Sequence, residues 1–255
     1  MKIIKKTSTN ATTYKQNRRI DYIAIHYTAG TTSKPGQARN VASFFSRAEA
    51  SADFVVDDAE IVQYNPDLRN RFCWAVGGSK LNQYGILHSK ATNANVISIE
   101  MCSNNKTGKI TYANDSNFYL TDATVKNAIK LTKYLMAEFG IPSANVIRHF
   151  DVTGKSCPGV IGWNELSGDA SKWKLFKQSI KEEEEEMTQE QFNVMMNNYL
   201  AELSKTPATW GQQYLDWAVK NGIFVGDEKG DLMPNKFLTR LEAAALMERL
   251  YELVK

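Results

Sequence analysis

Short apolar runs of strand length alternate along this chain with stretches whose apolar residues recur at helical spacing, and that alternation limits its fold more than any other feature. Ile20–His26 reads as a largely buried strand running into a turn-rich loop from Thr28 to Gly36. Val41, Phe44, Phe45 and Ala48 then recur as on a helix. Phe54–Val56 and Ile61–Tyr64 flank Asp57-Asp58-Ala59-Glu60, the pattern of a hairpin. Val96–Met101 is a further strand, and residues 104–117 are polar and loop-like. Thr121 can cap a helix whose face carries Val125, Ala128, Ile129, Thr132, Leu135, Met136 and Phe139, with Gly140 and Pro142 to stop it. Val146-Ile147 is a short strand that delivers His149. The expected class is α/β, a mixed central sheet flanked by helices, followed by a small all-α domain.

A length of 255 residues accommodates one large domain and one small one. The acidic run Glu182–Glu186 stays solvated because like charges repel, which marks a boundary or an exposed helix end. The expected division is a main domain at 1–180, an acidic linker at 181–187 and a helical domain at 188–255. Glu183–Glu186 directly precede Met187, and consecutive purine-rich glutamate codons can spell a ribosome-binding sequence. Met187 could then start a separately translated C-terminal fragment that associates with the full chain; an ordinary charged linker is the alternative. Residues 1–180 hold 23 basic and 14 acidic side chains, although the whole chain carries only +3. Such a front half suits an anionic polymer such as nucleic acid or a bacterial wall, or is simply a soluble basic domain. Three cysteines, Cys73, Cys102 and Cys157, argue against a disulfide framework and for free thiols or a metal thiolate made in a reducing compartment. The N-terminal apolar stretch is too short for a signal peptide, and no run reaches membrane-spanning length.

Chemistry concentrates in three residues. His26 and His149 each end a strand, and Cys157 lies eight residues beyond His149, before Pro158. Zinc takes imidazole nitrogen at about 2.0–2.1 Å and thiolate sulfur at about 2.3 Å, and three protein ligands leave a fourth position for water, the catalytic arrangement. By spacing alone, purely structural roles for both histidines stay open. Glu100 is a fourth candidate. Strand alternation puts Val96, Ser98 and Glu100 on one face and Ile97, Ile99 and Met101 on the other. A carboxylate in an apolar strand is costly unless it is paired, hydrated or at an active site; an exposed edge strand is the alternative.

Three blocks in order, Ile-Ala-Ile-His-Tyr-Thr-Ala-Gly, Asn-Val-Ile-Ser-Ile-Glu-Met-Cys and Arg-His-Phe-Asp-Val-Thr-Gly-Lys-Ser-Cys-Pro-Gly, resemble the type 2 family of N-acetylmuramoyl-L-alanine amidases over roughly residues 18–175. That family includes phage endolysins and is related to peptidoglycan recognition proteins. The resemblance implies that His26, His149 and Cys157 bind Zn²⁺. It implies that Lys155 stabilises an oxyanion beside the metal, and that Glu100 moves a proton between the attacking water and the leaving amine. It places Trp74 near a substrate groove, where core packing is the other reading. Asp151 could orient a ligand histidine or cap a loop. His88 is expected at the surface without a role, and Cys73 and Cys102 as core thiols. Some relatives carry a tyrosine near the metal, but here the stretch is Ser51-Ala52-Asp53-Phe54. That shifts weight to Glu100 and leaves open whether Asp53 faces the cleft.

The second region resembles one surface-layer homology motif, over about residues 207–253. Thr239 and Glu242 are spaced as a capping box, and the helix they start should bury Leu241, Ala244, Ala245, Leu246, Leu250 and Leu253. One copy builds little core, so the preceding helix (Phe192, Met195, Met196, Tyr199, Leu203) or a homo-oligomer would have to complete it. The resemblances imply hydrolysis of the bond between N-acetylmuramic acid and L-alanine, with peptidoglycan as substrate, a wall polymer as the second partner, and neither nucleic acid nor membrane insertion. The expected product is a phage-type endolysin made in the bacterial cytoplasm and acting after release. The alternatives are a bacterial autolysin, a non-hydrolytic recognition protein, or a zinc amidohydrolase for another amide.

Overall fold

The structure is a computed structural model that describes residues 1–77, 85–110, 112, 115–182, 188–204, 210–226, 230, 232, 234 and 238–255. The run Glu183–Glu186, the candidate start Met187 and parts of the stretch resembling the surface-layer homology motif (207–209, 227–229, 231, 233 and 235–237) lie outside these residues. In chain order the elements are β1 (Ile3–Lys5), β2 (Thr12–Tyr14), β3 (Tyr22–Tyr27), α1 (Gln37–Phe45), β4 (Phe54–Val56), β5 (Ile61–Gln63), β6 (Arg71–Cys73), β7 (Val96–Met101), β8 (Asn104–Asn105) and β9 (Phe118–Tyr119). There follow α2 (Asp122–Phe139), β10 (Val146–Arg148), α3 (His149–Thr153), α4 (Ser171–Ser179), α5 (Gln189–Ser204), α6 (Gln212–Lys220) and α7 (Arg240–Leu253). The chain divides into two compact units, Met1–Glu183 and Glu184–Lys255.

The first unit is built on a six-stranded sheet in the order β1-β5-β4-β7-β3-β10. Every pairing is parallel except β4 with β5, whose antiparallel register sets Val56 against Ile61 across the expected hairpin. The sheet is therefore mixed. Parallel strands are covered on both faces, which is why β3 is apolar along most of its length. On one face Ile23, Ile25, Ile97, Ile99, Phe54 and Val56 pack beneath Ala128, Leu131 and Leu135 of α2 and beside Trp173 and Phe176 of α4. Burying a leucine such as Leu131 or Leu135 stabilises by roughly 1.5–3 kcal/mol. On the other face Val55, Val62 and Tyr64 meet Ala38, Ala42 and Phe45 of α1, while Ala24, Val96 and Ile147 meet Val152 of α3. With a period of two, His26 and Glu100 belong to this second face.

Local chemistry sets the boundaries. Thr121 Oγ1 accepts from the Thr124 N–H at 3.2 Å, and Gly140 ends α2 in the left-handed region at φ 67°. Asp57 serves two elements at once. Its Oδ1 accepts from the N–H groups of Ala59 and Glu60 at 2.9 and 2.7 Å, closing the hairpin, and its Oδ2 accepts from the Ala38 N–H at 2.9 Å, capping α1.

Several details depart from the sequence reading. In α1 the buried side chains are Ala38, Ala42 and Phe45, whereas Phe44 is 54% exposed and Ala48 lies beyond the helix. The small alanines let the helix lie close on β4 and β5, with Phe45 buried beside them and Phe44 turned away. In α2, Leu131 joins the buried face. The strands β1, β2 and β6 have three residues each, too few to display a period. His149 opens a helix instead of ending a strand. Part of the polar stretch pairs, with Asn104 and Asn105 of β8 against Tyr119 and Phe118 of β9.

In the second unit, Thr239 Oγ1 accepts from the Glu242 N–H at 3.2 Å and the Thr239 N–H donates to Glu242 Oε2 at 2.7 Å, the expected capping box. The helix it starts does not bury its apolar stripe: Leu241, Leu250 and Leu253 are exposed. Among the described residues of this unit, Ile223 is the one buried apolar side chain. Helices this few and short enclose little volume, so most apolar residues stay near the surface. No described helix is long and apolar enough to cross a membrane.

Candidate active site

Parallel pairing assembles the site. Register partners on adjacent parallel strands point to the same face, and β3 sets His26 against Glu100 of β7. On its other side β3 pairs with β10, where Ile25 lies against Arg148. The next residue, His149, is thereby delivered beside His26, with ring centroids 4.7 Å apart. The third arm returns from α3. The Phe150 N–H donates to the Cys157 carbonyl at 2.9 Å, which ties the segment carrying the cysteine to the helix carrying the histidine. One potential ligand atom from each of His26, His149 and Cys157 lies within 4.8 Å of the other two. The three stand at the carboxyl ends of the strands, where open α/β sheets place their ligand sites.

These residues face a cleft of about 260 Å³, lined also by Glu100, Lys155, Trp74, Ser51 and Thr28. His26 Nδ1 is 3.8 Å from Cys157 Sγ and 3.9 Å from Glu100 Oε1. Burial holds the His26 imidazole well below its usual range, with His149 and Lys155 pushing the same way, so its approach to Glu100 is not an ion pair. Burial and Lys155 likewise depress His149, to about 4. Both rings are neutral at physiological pH, the form in which imidazole ligates a metal. Burial pushes the Cys157 thiol up, and Glu100 adds to it. Burial raises the Glu100 carboxyl to about 7, against an opposing pull from the Lys155 ammonium. Two buried polar atoms here, His26 Nε2 and Glu100 Oε2, have no hydrogen-bond partner. Such atoms are uncommon, and a binding or catalytic role is one accepted reason for them. Two neutral imidazoles and a thiol that converge with these orphaned atoms fit a nitrogen- and sulfur-binding ion such as zinc.

Other residues singled out in the sequence fall at different places. Lys155 is exposed on the cleft rim. Trp74 is 44% exposed, with its indole N–H donating to Thr13 Oγ1 at 2.9 Å. Asp53 does not line the cleft. Its Oδ1 accepts from Asn65 Nδ2 at 2.6 Å and its Oδ2 from the Ser98 N–H at 2.8 Å, with Arg18 Nη2 at 3.8 Å. It is an interior clamp between strands. Asp151 turns to Arg148, not to an imidazole. His88 is half-buried and stands outside the ligand cluster, and Cys73 and Cys102 are buried free thiols. Sequence reasoning passed over Asn93, whose Oδ1 accepts from the N–H groups of Ala75, Val76 and Gly77 at 3.0, 2.8 and 3.0 Å. It holds the turn that presents Trp74. It also passed over Arg148, whose position beside His149 was the available signal.

The family model for N-acetylmuramoyl-L-alanine amidase matches residues 16–160, from just before β3 to just past Cys157. The chain belongs to this family. A second model, the S-layer homology domain, matches residues 203–244. Among amidase relatives, CwlL of Bacillus licheniformis is 31% identical over 144 residues, covering 53% of this chain and 35% of its own length. CwlH of Bacillus subtilis (strain 168) is 32% identical over 155 residues, covering 59% of this chain and 53% of its own length. The chain thus spans about half or less of the curated amidases it matches. The solved structure of PlyL is 25% identical with a TM-score of 0.52, covering 71% of this chain and 98% of that one. A mutant endolysin from Bacillus subtilis is 30% identical with a TM-score of 0.50, covering 71% of this chain and 99% of that one.

Proposed function

We propose that this amidase-family chain hydrolyses the amide between N-acetylmuramic acid and L-alanine in bacterial peptidoglycan, with zinc held by His26, His149 and Cys157. The observation that carries the reading is the convergence of those three donors within 4.8 Å, in one cleft with Glu100 and Lys155. A zinc ion held there would supply Lewis acidity, polarising an amide carbonyl and acidifying a water. The residues do the rest. Glu100, side by side with His26, takes the proton of the attacking water and returns it to the departing alanine nitrogen. The Lys155 ammonium on the rim stabilises the negative charge that develops on the carbonyl oxygen. The exposed indole of Trp74 offers a flat apolar face to a sugar ring or the peptide stem.

On this reading residues 1–180 are the catalytic domain, and the segment matching the S-layer homology domain holds the enzyme to a wall polymer. The enzyme acts as a phage-type endolysin on the wall after release from the cytoplasm. The deciding experiment digests purified peptidoglycan with the protein, with and without a chelator, and identifies the fragments by mass spectrometry. Chelator-sensitive release of stem peptides with N-terminal alanine, from intact glycan, is the expected result. Binding without cleavage across several wall types would replace the reading with a recognition protein.

A further inference from the structure

Arg148 stands immediately before His149 and is 6% exposed. A buried guanidinium is costly unless its donors are met, and here they reach two separate segments, at Asp151 and at Trp163 with Glu165. Nη2 donates to Asp151 Oδ1 at 2.7 Å, and Nε lies 3.2 Å from each Asp151 oxygen. Nη1 donates to the Trp163 carbonyl at 2.9 Å and to Glu165 Oε2 at 3.2 Å. The guanidinium also lies over two rings, 4.9 Å from the centroid of Phe150 and 5.5 Å from that of Trp173. Asp151 in turn accepts from the Arg148 backbone N–H at 2.8 Å, which fixes the first turn of α3, the turn that begins with His149.

The partners of Arg148 are the two arms of the cluster. Asp151 belongs to the histidine arm. Trp163 closes the cysteine arm, the segment that leaves α3, passes Cys157 and ends against α4, where the Trp163 ring packs on Trp173 and Phe176. Asn164 Nδ2 donates back to the Pro158 carbonyl and to Ser156 Oγ, so the cysteine arm is braced at both ends. Among the described residues, the side-chain hydrogen bonds of Arg148 and Asp151 go to each other and to the 163–165 segment, and not to a ligand ring or the Cys157 sulfur.

We propose that Arg148, with Asp151 as its counter-ion, is a positioning residue for the metal centre, holding the His149 and Cys157 arms at the separation that three-donor binding needs. The proposal rests on the zinc reading above. Groups behind metal ligands characteristically set affinity, and their loss costs roughly 10–100-fold in binding. Arginine suits the task because its planar fork serves the carboxylate and the carbonyl together, whereas lysine offers one point charge.

The test compares the full chain with Arg148→Lys, Asp151→Asn and Glu165→Gln. Zinc dissociation constants are measured by competition with a chromophoric chelator, and the visible absorption of the cobalt(II)-loaded proteins reports ligand geometry. Thermal melts of the metal-free proteins run in parallel. Arg148→Lys and Asp151→Asn should weaken zinc binding by about 10–100-fold and alter the cobalt bands, while Glu165→Gln, with its exposed carboxylate, should bind as the parent does. If Arg148→Lys does not fold, Asp151→Asn carries the test, since asparagine keeps an acceptor for the Arg148 backbone N–H. Lower melting temperatures with parental zinc affinity and cobalt spectra would overturn the proposal and leave Arg148 a general structural residue. A parent chain that takes up no zinc would overturn the functional reading itself, and this proposal with it.

Discussion

Glu100 shows how one side chain acquires a role from its neighbours. Its carboxylate is 18% exposed, beside a neutral imidazole, with one oxygen unpartnered. A structural glutamate would find an arginine or backbone N–H groups, as Asp53 and Asp57 do. Glu100→Gln keeps the shape and removes the base. It should retain one zinc per chain and lose at least about a hundredfold in turnover of muropeptide, the lower range for lost acid–base catalysis. Near-normal turnover in that variant would refute the base role. Cys157→Ser probes the other half of the site. A hydroxyl binds zinc far more weakly than a thiolate, so elemental analysis after desalting should find most of the metal gone. Unchanged zinc content would sink the ligand assignment. Sequence inspection named these residues, but it could not place Asp53, because whether a side chain at a strand's start faces cleft or core depends on what packs over it.

At the scale of elements, the site depends on short pieces seated against one another. A Cβ on Gly85 would lie 2.3 Å from the Val152 carbonyl carbon and 2.4 Å from the Asp151 oxygen, both backbone atoms of α3. Neither can rotate away. Gly85→Ala must therefore displace α3 or its own segment, and a melt should show destabilisation of about 1–3 kcal/mol, the usual cost of overpacking. Because α3 begins with His149, zinc affinity should fall as well. A variant with parental melting temperature and parental zinc binding would show that the contact is more yielding than it looks. The long helix α2 was legible beforehand because its cap, its stripe and its left-handed stop all agree. The nine-residue α1 was legible only in part, because its apolar spacing marked Phe45, which is buried, but also Phe44, which is exposed, and missed Ala38 and Ala42.

For the whole molecule, the two units have different means of staying folded. The first buries apolar side chains on both faces of a sheet, whereas the second, among its described residues, buries one. A chain ending at residue 182 should therefore keep its fold and its turnover of a small soluble muropeptide, within about twofold given that core burial dominates stability. It should bind intact walls more weakly in a sedimentation assay. Equal wall binding by the full and shortened chains would remove the anchoring role from the second unit.

Sequence alone determined the alternation of strands and helices, the extent of α2, the capping box at Thr239, and the residue types able to carry zinc chemistry. These follow from periodicity and short-range stereochemistry, which act over a few neighbouring residues. Only the tertiary structure decided that His26 faces Glu100, since that follows from the register of two strands whose residues are more than 70 positions apart in the chain. Tertiary packing also turned Asp53 inward, exposed Phe44 and made Arg148 the tie between the two ligand arms. Long-range pairing and burial settle such questions, because the energy of a charged or apolar side chain depends on the neighbours that folding brings to it.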